Sequence, residues 1–416
     1  MKKRIHFIGI GGIGISALAQ YFKKKGWEVS GSDLKRSEIT ELLEKKGIKI
    51  FTPHRKENLP LKVKKVIFSL AVPEDNIELK TARERKGVEI KSYPEALGEL
   101  TKKYFTIAIS GTHGKTTTTS LIAMILIEAG FDPTVFVGTL LSEFGNSNFR
   151  WGRSEFLVIE ADEYKNAFLS YWPNIIVLTT LEKEHLDFFG NFENEKRSFK
   201  KYIFSLEKKE NGILVANFDD KGVRSLLKEL KKEKRKFKIV EYSLKRNKKE
   251  VLKIKKVLKI PGRHNLSNAL GAFFAAKVLG IKESLILKGL GKYKGAWRRF
   301  EIFYPSLKKK KKEIRFILIS DYAHHPTEVK ATLKAVKEKF KGKRIITVFQ
   351  PHQYQRTEFL FSDFVKAFDL TDFLFLTEIF AVAGREKEKK ISSKDLAEKI
   401  KRRWQKMGKR GGVQGK

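Results

Sequence analysis

The chain has 416 residues, 87 Lys and Arg against 48 Asp and Glu, a formal net charge of +39, and no cysteine. At roughly 150 residues per domain, this length allows two or three domains, each able to bury its own core. The lack of cysteine excludes a disulfide framework, cysteine-ligated zinc, an iron–sulfur cluster and a thiol nucleophile, while 32 Phe argue against a disordered chain.

Three blocks follow one another. In the first, Ile5–Ile10 reads as a strand, followed by a glycine turn and a helix over Ile15–Lys25 that Gly26 ends. Glu28–Gly31 and Val63–Leu70 read as further strands and Glu78–Arg85 as a helix, an alternation that indicates βαβ units and a parallel sheet. The second block opens near Tyr104 with the strand Phe105–Ser110, a glycine-bearing loop and a helix over Thr117–Ala129. Phe156–Glu160 and Ile175–Thr179 are strands whose polar ends fall where ligands bind in parallel sheets, and Leu266–Val278 is a helix. The third block, from about Phe300, has strands at Arg315–Ser320, Arg344–Phe349 and Asp372–Thr377, and helices at Thr327–Lys339 and Glu358–Phe368. The lysines at 308–312 suit a hairpin turn. After Arg385 a basic helix, Ser393–Trp404, and a Gly/Lys tail without a strand are expected. The fold class is therefore α/β.

No apolar run approaches the ~18 residues of a membrane span, and Met1-Lys2-Lys3-Arg4 leads into a strand instead of a signal peptide. A soluble cytoplasmic protein with no membrane partner is expected. The lysines are dispersed and mostly interleaved with Glu, as in residues 228–238, and no nucleic-acid module is visible. The charge reads as solvated faces, with steering of polyanionic substrates as a secondary effect. No nucleic-acid partner is expected.

Two loops carry phosphate chemistry. Gly9-Ile10-Gly11-Gly12-Ile13-Gly14 lies between a strand and a helix, with Asp33 beyond it where an acid can reach a ribose; this is the dinucleotide fingerprint, and the same geometry would serve any nucleotide diphosphate on a helix N-terminus. Gly111-Thr112-His113-Gly114-Lys115-Thr116-Thr117 is sharper. Its amides and Lys115 can cradle β/γ-phosphates, and Thr116 can ligate Mg²⁺. Glu160-Ala161-Asp162-Glu163 and Glu182-Lys183-Glu184-His185-Leu186-Asp187 follow apolar strands and supply groups suited to Mg²⁺. Gly262-Arg263-His264-Asn265-Leu266-Ser267-Asn268 opens a helix, where capping competes with ligand contact. In Arg298-Arg299-Phe300, an arginine could reach a transferring phosphate or simply face solvent. Asp321–Glu328 and Gln350–Thr357 are His-rich loops at equivalent ends of one sheet, without the spacing of a zinc site.

Read together, HFIGIGGIGIS (6–16), GTHGKTTTT (111–119), EADE (160–163), EHLD (184–187), PGRHNLSNAL (261–270), RRF (298–300), DYAHHPTEV (321–329) and FQPHQYQRT (349–357) resemble the Mur ligase family of peptidoglycan synthesis. The resemblance runs from His6 to about Glu386. It implies three domains: a Rossmann-like UDP-binding domain (1–103), a P-loop-type ATP-binding domain (104–299) and a Rossmann-like amino-acid-binding domain (300–416). It further implies an ATP-dependent ligase joining L-alanine to the lactyl carboxylate of UDP-N-acetylmuramate through an acyl phosphate, with ATP and Mg²⁺ as cofactors. A monomer or weak homodimer is expected.

By the same resemblance, Gly9, Gly11, Gly12 and Gly14, with Asp33 and Ser69, would hold the UDP-sugar. The ATP set would be Gly111, Thr112, His113, Gly114, Lys115, Thr116 and Thr117, with His264, Asn265 and Asn268 at the adenine and Asp321 at the ribose. Thr116 and Glu160 would bind one Mg²⁺, and His185 with Glu160 a second. Lys115, Glu160, His185 and Arg299 would be catalytic, and Tyr322, His324, His352 and Arg356 would line the alanine site.

Gln353, Ala323 and Leu70 stand where the family usually has arginine, glycine and serine. Family members also continue past the basic tail. The third domain is thus expected to be incomplete, with an exposed sheet edge and apolar surface. A murein tripeptide ligase acting on the same UDP-sugar is an alternative. From other classes, an NAD-dependent oxidoreductase explains only the first glycine turn, and a nucleic-acid-binding protein only the charge.

Overall fold

A computed structural model describes residues 2–309, 312–381, 391–409 and 411–415. The chain packs as two compact units. The first comprises 1–182, 193–257 and 268–293; the second comprises 183–192, 258–267 and 294–416.

The first unit holds two sheets. Five parallel strands, β1 (Arg4–Ile8), β2 (Glu28–Ser32), β3 (Lys49–Phe51), β4 (Val63–Phe68) and β5 (Glu89–Ser92), run in the order β3-β2-β1-β4-β5. Crossover helices cover them, as parallel pairing requires. Strand β1 stops at Ile8, before the predicted Ile10, because Gly9 turns the chain at φ +75°. The second sheet comprises β6 (Phe105–Ser110), β7 (Thr134–Leu141), β8 (Ser147–Arg150), β9 (Phe156–Ala161), β10 (Ile175–Leu178), β11 (Ile213–Asn217) and β12 (Lys238–Tyr242). Its order is β12-β11-β10-β6-β9-β7-β8, parallel throughout except for β8. The helix Lys115–Glu128 follows β6, and its buried residues span nearly every side, so it lies inside the unit. Gly289 of the helix Glu283–Lys292 lets that helix close onto the backbone of Ile125.

The two sheets are joined by a polar clamp. Asn148 on β8 donates to the Ile13 carbonyl (2.5 Å) and meets Ser16 Oγ (2.9 Å), both on the helix Ile13–Lys24. Its Oδ1 accepts from Gln20 Nε2 at 2.7 Å, and Lys46 Nζ donates to Gln20 Oε1 and Ser147 Oγ. Tyr21 seals the same contact, with ring centroids of Phe136, Phe149 and Trp151 at 6.0, 6.4 and 5.4 Å.

In the second unit, β13 (Glu301–Phe303) pairs antiparallel with β16 (Leu318–Ser320), and β14 (Ser306–Lys309) with β15 (Lys312–Arg315). The predicted hairpin is present, its turn at 310–311 lying outside the described residues. The predicted single strand Arg315–Ser320 is instead divided between two ladders. Pro305 opposes the break and has no N–H to donate across it. Strands β17 (Ile346–Phe349), β18 (Phe373–Leu376) and β19 (Gly412–Gly415) form a parallel sheet in that order. The last corrects the expectation of a tail without a strand. Gly415 carries no side chain, and a Cβ there would fall 2.8 Å from Ala397 and Ser393, so this glycine-rich segment can lie where an ordinary strand cannot. The predicted helix Glu358–Phe368 is two short helices, Tyr354–Phe359 and Phe361–Val365, parted at Leu360 (φ −104°). The break turns Phe364 and Phe368 onto Phe349. On the opposite face Ile346 and Val348 are exposed. Helices Pro326–Lys339 and Ser393–Lys406 complete the unit. Among the described residues, no helix is long and apolar enough to cross a membrane.

Candidate active site

The glycine turn is held by β2. The Gly9 and Ile10 amides donate to the Ser32 carbonyl at 2.8 and 3.0 Å, and the Gly11 amide donates to Asp33 Oδ2 at 2.7 Å. Asp33, expected at a ribose, thus also fixes the turn. Ser69 lies against Gly9, where an added Cβ would sit 3.1 Å from its own Cβ. Behind the turn is Glu78, fully buried, accepting from Ser32 Oγ (2.5 Å), Asn58 Nδ2 (2.7 Å) and the Arg55 amide (3.0 Å), with His6 Nε2 at 3.1 Å. Burial alone would raise its pKa; the bonds from His54, His6, Ser32 and Asn58 outweigh that and hold the carboxyl well below the usual range. Gly12 precedes the helix Ile13–Lys24, whose first-turn amides have no partner within the helix. Gly14 makes room for Tyr93: a Cβ there would lie 2.8 Å from the phenol oxygen.

The second loop is built to approach a phosphate. Gly111 and Gly114 adopt φ +129° and +86°, which side-chain-bearing residues avoid. A Cβ on Gly114 would collide with the Asn268 amide, so Asn268 stands directly over the loop. The His113 amide donates to Thr180 Oγ1 (2.8 Å), and Thr112 Oγ1 accepts from the Glu182 amide (2.9 Å), pinning the loop to the end of β10. Lys115 Nζ donates to the Gly111 carbonyl (2.6 Å) and pairs with Glu163 Oε2 (2.9 Å). Burial would lower the Lys115 pKa, but Glu163, then Asp162 and Glu160, push it up, so the ammonium stays charged. Thr116 Oγ1 donates to Glu160 Oε2 at 3.0 Å, and the Gly138 amide to Glu160 Oε1 at 2.5 Å. Thr117 is buried on the same helix turn. A glycine cradle, a charged lysine and hard oxygen donors on Thr116 and Glu160 fit a triphosphate with its Mg²⁺.

The second unit gathers the His-rich loops. Arg356 Nε and Nη2 donate to Glu184 Oε1 at 2.8 and 2.7 Å, and Nη1 donates to the His352 carbonyl at 3.2 Å. Burial would raise the Glu184 pKa; Arg356, then His185, His325 and His324, hold it down at about 2. The rings of Tyr322, His324 and His352 lie 5.0–6.3 Å apart, and His352 stacks on Phe380. Lys183, His185, Gln353 and Gln355 line a small cleft with Arg356. Asp321 accepts from Thr332 Oγ1 at 2.7 Å, and burial raises its pKa. Arg299 lies over the Tyr322 ring at 5.6 Å, with left-handed Arg298 and Phe300 (φ +56° and +53°) on either side. Burial lowers the His264 pKa, and Asn265 Nδ2 donates to the Pro261 carbonyl at 2.6 Å, tying the start of its helix to the segment before it.

Residues 4–105, 109–276 and 298–413 match the profiles described as "Mur ligase family, catalytic domain", "Mur ligase middle domain" and "Mur ligase, glutamate ligase domain". The chain belongs to the Mur ligase family. The UDP-N-acetylmuramate–L-alanine ligase of Acetivibrio thermocellus is 42% identical over 418 residues, covering 96% of this chain and 86% of the relative. The enzyme of the same name from Caldanaerobacter subterraneus is 40% identical over 427 residues, covering 96% and 88%. The crystal structure of the Thermotoga maritima UDP-N-acetylmuramate–alanine ligase superposes with a TM-score of 0.76 at 28% identity, covering 99% of this chain and 90% of that one. The murein peptide ligase of Psychrobacter arcticus, 21% identical with a TM-score of 0.70, shares the fold. As a Mur ligase, this chain is an ATP-dependent, amide-bond-forming ligase of peptidoglycan synthesis.

Within the first unit of this Mur ligase, the fold brings Gly111–Thr117, Glu160 and Asn268 together, and separately Gly9–Gly14, Asp33 and Ser69. Within the second unit it gathers Arg299, Asp321, Tyr322, His324, His352 and Arg356; His185 and His264 also belong there. Glu163, Glu184 and Tyr93 were not singled out from sequence. Glu163 lies within EADE and Glu184 within EHLD, so their acidity is visible in the sequence and their partners are not.

Proposed function

We propose that the chain ligates L-alanine to the lactyl carboxylate of UDP-N-acetylmuramate at the expense of ATP, in the cytoplasm, with the functional division 1–103, 104–299 and 300–416. The observation that carries this is the Lys115–Glu163 and Thr116–Glu160 arrangement on the glycine loop, in a chain about 40% identical to ligases of that name.

The glycine turn with Asp33 and Ser69 receives the UDP moiety. Gly111–Thr117 wraps the ATP phosphates, and Lys115 neutralises the β/γ-oxygens. His264, Asn265 and Asn268 serve the adenine and Asp321 the ribose. Thr116 and Glu160 would hold one magnesium ion and His185 with Glu160 a second; the ions would supply charge neutralisation on the phosphates. The lactyl carboxylate oxygen attacks the γ-phosphorus, the β–γ bridging bond breaks, and ADP leaves an acyl phosphate. The neutral amine of L-alanine then attacks the acyl carbon; phosphate departs and the amine loses a proton. Arg299 stabilises the transferring phosphoryl group. Tyr322, His324, His352 and Arg356 form the amino-acid side. No side-chain nucleophile is required; the chemistry rests on positioning and charge neutralisation.

The test is phosphate release from MgATP with UDP-N-acetylmuramate, adding L-alanine, L-serine, glycine or murein tripeptide in turn. Release dependent on L-alanine is the expected result. Release with the tripeptide alone, or with none of them, overturns the assignment.

A further inference from the structure

Tyr93 stands where three elements of the first unit converge. It opens the helix Tyr93–Lys103, which leads directly into β6 and the phosphate loop. A capping box sets that helix start: Ser92 with Glu95, whose carboxylate accepts from the Ser92 amide at 2.8 Å. Farther along, Gly98 lies against the Ser170 carbonyl without room for any side chain, and Thr101 Oγ1 accepts from the Trp172 amide at 2.9 Å. The helix is thus fixed to the segment that follows Glu160–Glu163. Its first residue has a settled position.

That position is the glycine turn. The Tyr93 oxygen comes within 2.8 Å of where a Gly14 Cβ would be, beside the start of the helix Ile13–Lys24. The acidic groups whose field reaches the phenol are Glu160 and then Asp162. Among the described residues, no hydrogen bond ties the hydroxyl to a protein partner in the way Asp33 is tied to Gly11. The ring is only half-buried.

We infer that Tyr93 is a substrate-binding residue whose hydroxyl donates a hydrogen bond to the diphosphate of the UDP-sugar, beside the first-turn amides of the helix Ile13–Lys24. This rests on the glycine turn being the UDP site, as proposed above. The chemistry is specific. A phenol O–H adds a donor to the anion without adding a cation beside Glu160, the proposed magnesium ligand. Its rigid ring loses little rotamer freedom on binding. The contact is made equally in ground and transition states, so its loss falls on affinity and leaves kcat largely alone.

The experiment titrates UDP-N-acetylmuramate, UDP and ATP calorimetrically into the wild-type protein and Tyr93→Phe, then measures KM and kcat. The phenylalanine keeps the ring and its packing, so folding is preserved; equal thermal midpoints verify it. The expected result is a roughly tenfold weaker Kd for UDP-N-acetylmuramate and for UDP, equivalent to about 1.4 kcal/mol. The KM for the sugar nucleotide rises in parallel, with ATP affinity unchanged and kcat within twofold. Tyr93→His, which restores a ring donor, recovers part of the loss. Unchanged UDP binding in Tyr93→Phe overturns the inference while leaving the glycine turn as the UDP site. A fall in ATP affinity or in kcat alone overturns it too, because the hydroxyl would then serve the other nucleotide or the transition state. A wild-type protein that binds ATP but neither UDP ligand removes the underlying reading and this inference together.

Discussion

Arg356 places two guanidinium nitrogens on one oxygen of Glu184, although 172 residues separate them. Both side chains are buried. The carboxyl sits at about 2 in the folded chain against about 4.3 for an ordinary Glu. A depressed carboxylate stabilises the fold above its unfolded pKa and loses that contribution as pH falls toward its folded one. Thermal midpoints of the wild type should therefore drop steeply from about pH 4.3 downward. Glu184→Gln should start lower at pH 7, by about 3 kcal/mol for a broken buried pair, and lose less on acidification. Parallel curves for the two proteins would contradict the pairing.

Glu160 is held by Thr116 and by the Gly138 amide, so its carboxylate is aimed before any ligand arrives. Glu160→Gln keeps the shape but halves the oxygen donors and removes the charge. Alanine-dependent phosphate release is expected to fall by about two to three orders of magnitude. Added magnesium should recover part of the loss if the residue serves the ion. Circular dichroism should be unchanged, since the amide can still accept from Gly138.

Asn148 satisfies the Ile13 carbonyl and the Gln20 amide in a buried setting. Asn148→Ala removes these bonds but leaves the Ser16 hydroxyl on the Ile13 carbonyl and Gln20 on the Ser16 carbonyl, and should cost about 1 kcal/mol. Urea unfolding read at two probes, one in each sheet of the first unit, is the measurement. One transition shifted to lower urea is expected; an unshifted midpoint would mean the clamp contributes nothing.

Gly98 offers a sharper stability test. A methyl group there meets the Ser170 carbonyl, a backbone atom that cannot swing aside. Gly98→Ala should lower the thermal midpoint by several degrees and reduce yield of folded protein, whereas Gly87→Ala, with nothing near its Cβ, should be affected only through its left-handed backbone (φ +75°). Similar midpoints for Gly98→Ala and the wild type would show that the helix can shift.

Much of the first unit could be read directly from the chain. Buried parallel strands such as Phe105–Ser110 and Ile175–Leu178 are short apolar runs between glycine or polar signals, and both phosphate loops carry glycines that only a tight approach requires. The third block was harder. Its strand Leu318–Ser320 has three residues, its hairpin is signalled only by the lysine run at its turn, and Gly412–Gly415 has one branched apolar side chain, so no periodicity announces these strands. The helix break at Leu360 answers to tertiary packing of Phe364 and Phe368, which local propensity does not encode. Within the site, acidity and histidine content were visible, but pairings such as Lys115 with Glu163 and Arg356 with Glu184 join distant segments. No spacing rule reaches across them.

The clamp around Asn148 also bears on how this enzyme can be taken apart. Sequence profiles divide it neatly near residue 105, and a gene fragment ending at Lys103 looks like an independent nucleotide-binding cassette. Yet Tyr21 rests on Phe136, Phe149 and Trp151, and Gln20 and Lys46 bond to Asn148 and Ser147, all beyond that cut. Such a fragment would carry a sticky aromatic face and unpaired amides into solution. Recombining this Rossmann half with the ATPase core of another ligase would have to carry the β7–β8 hairpin along with it.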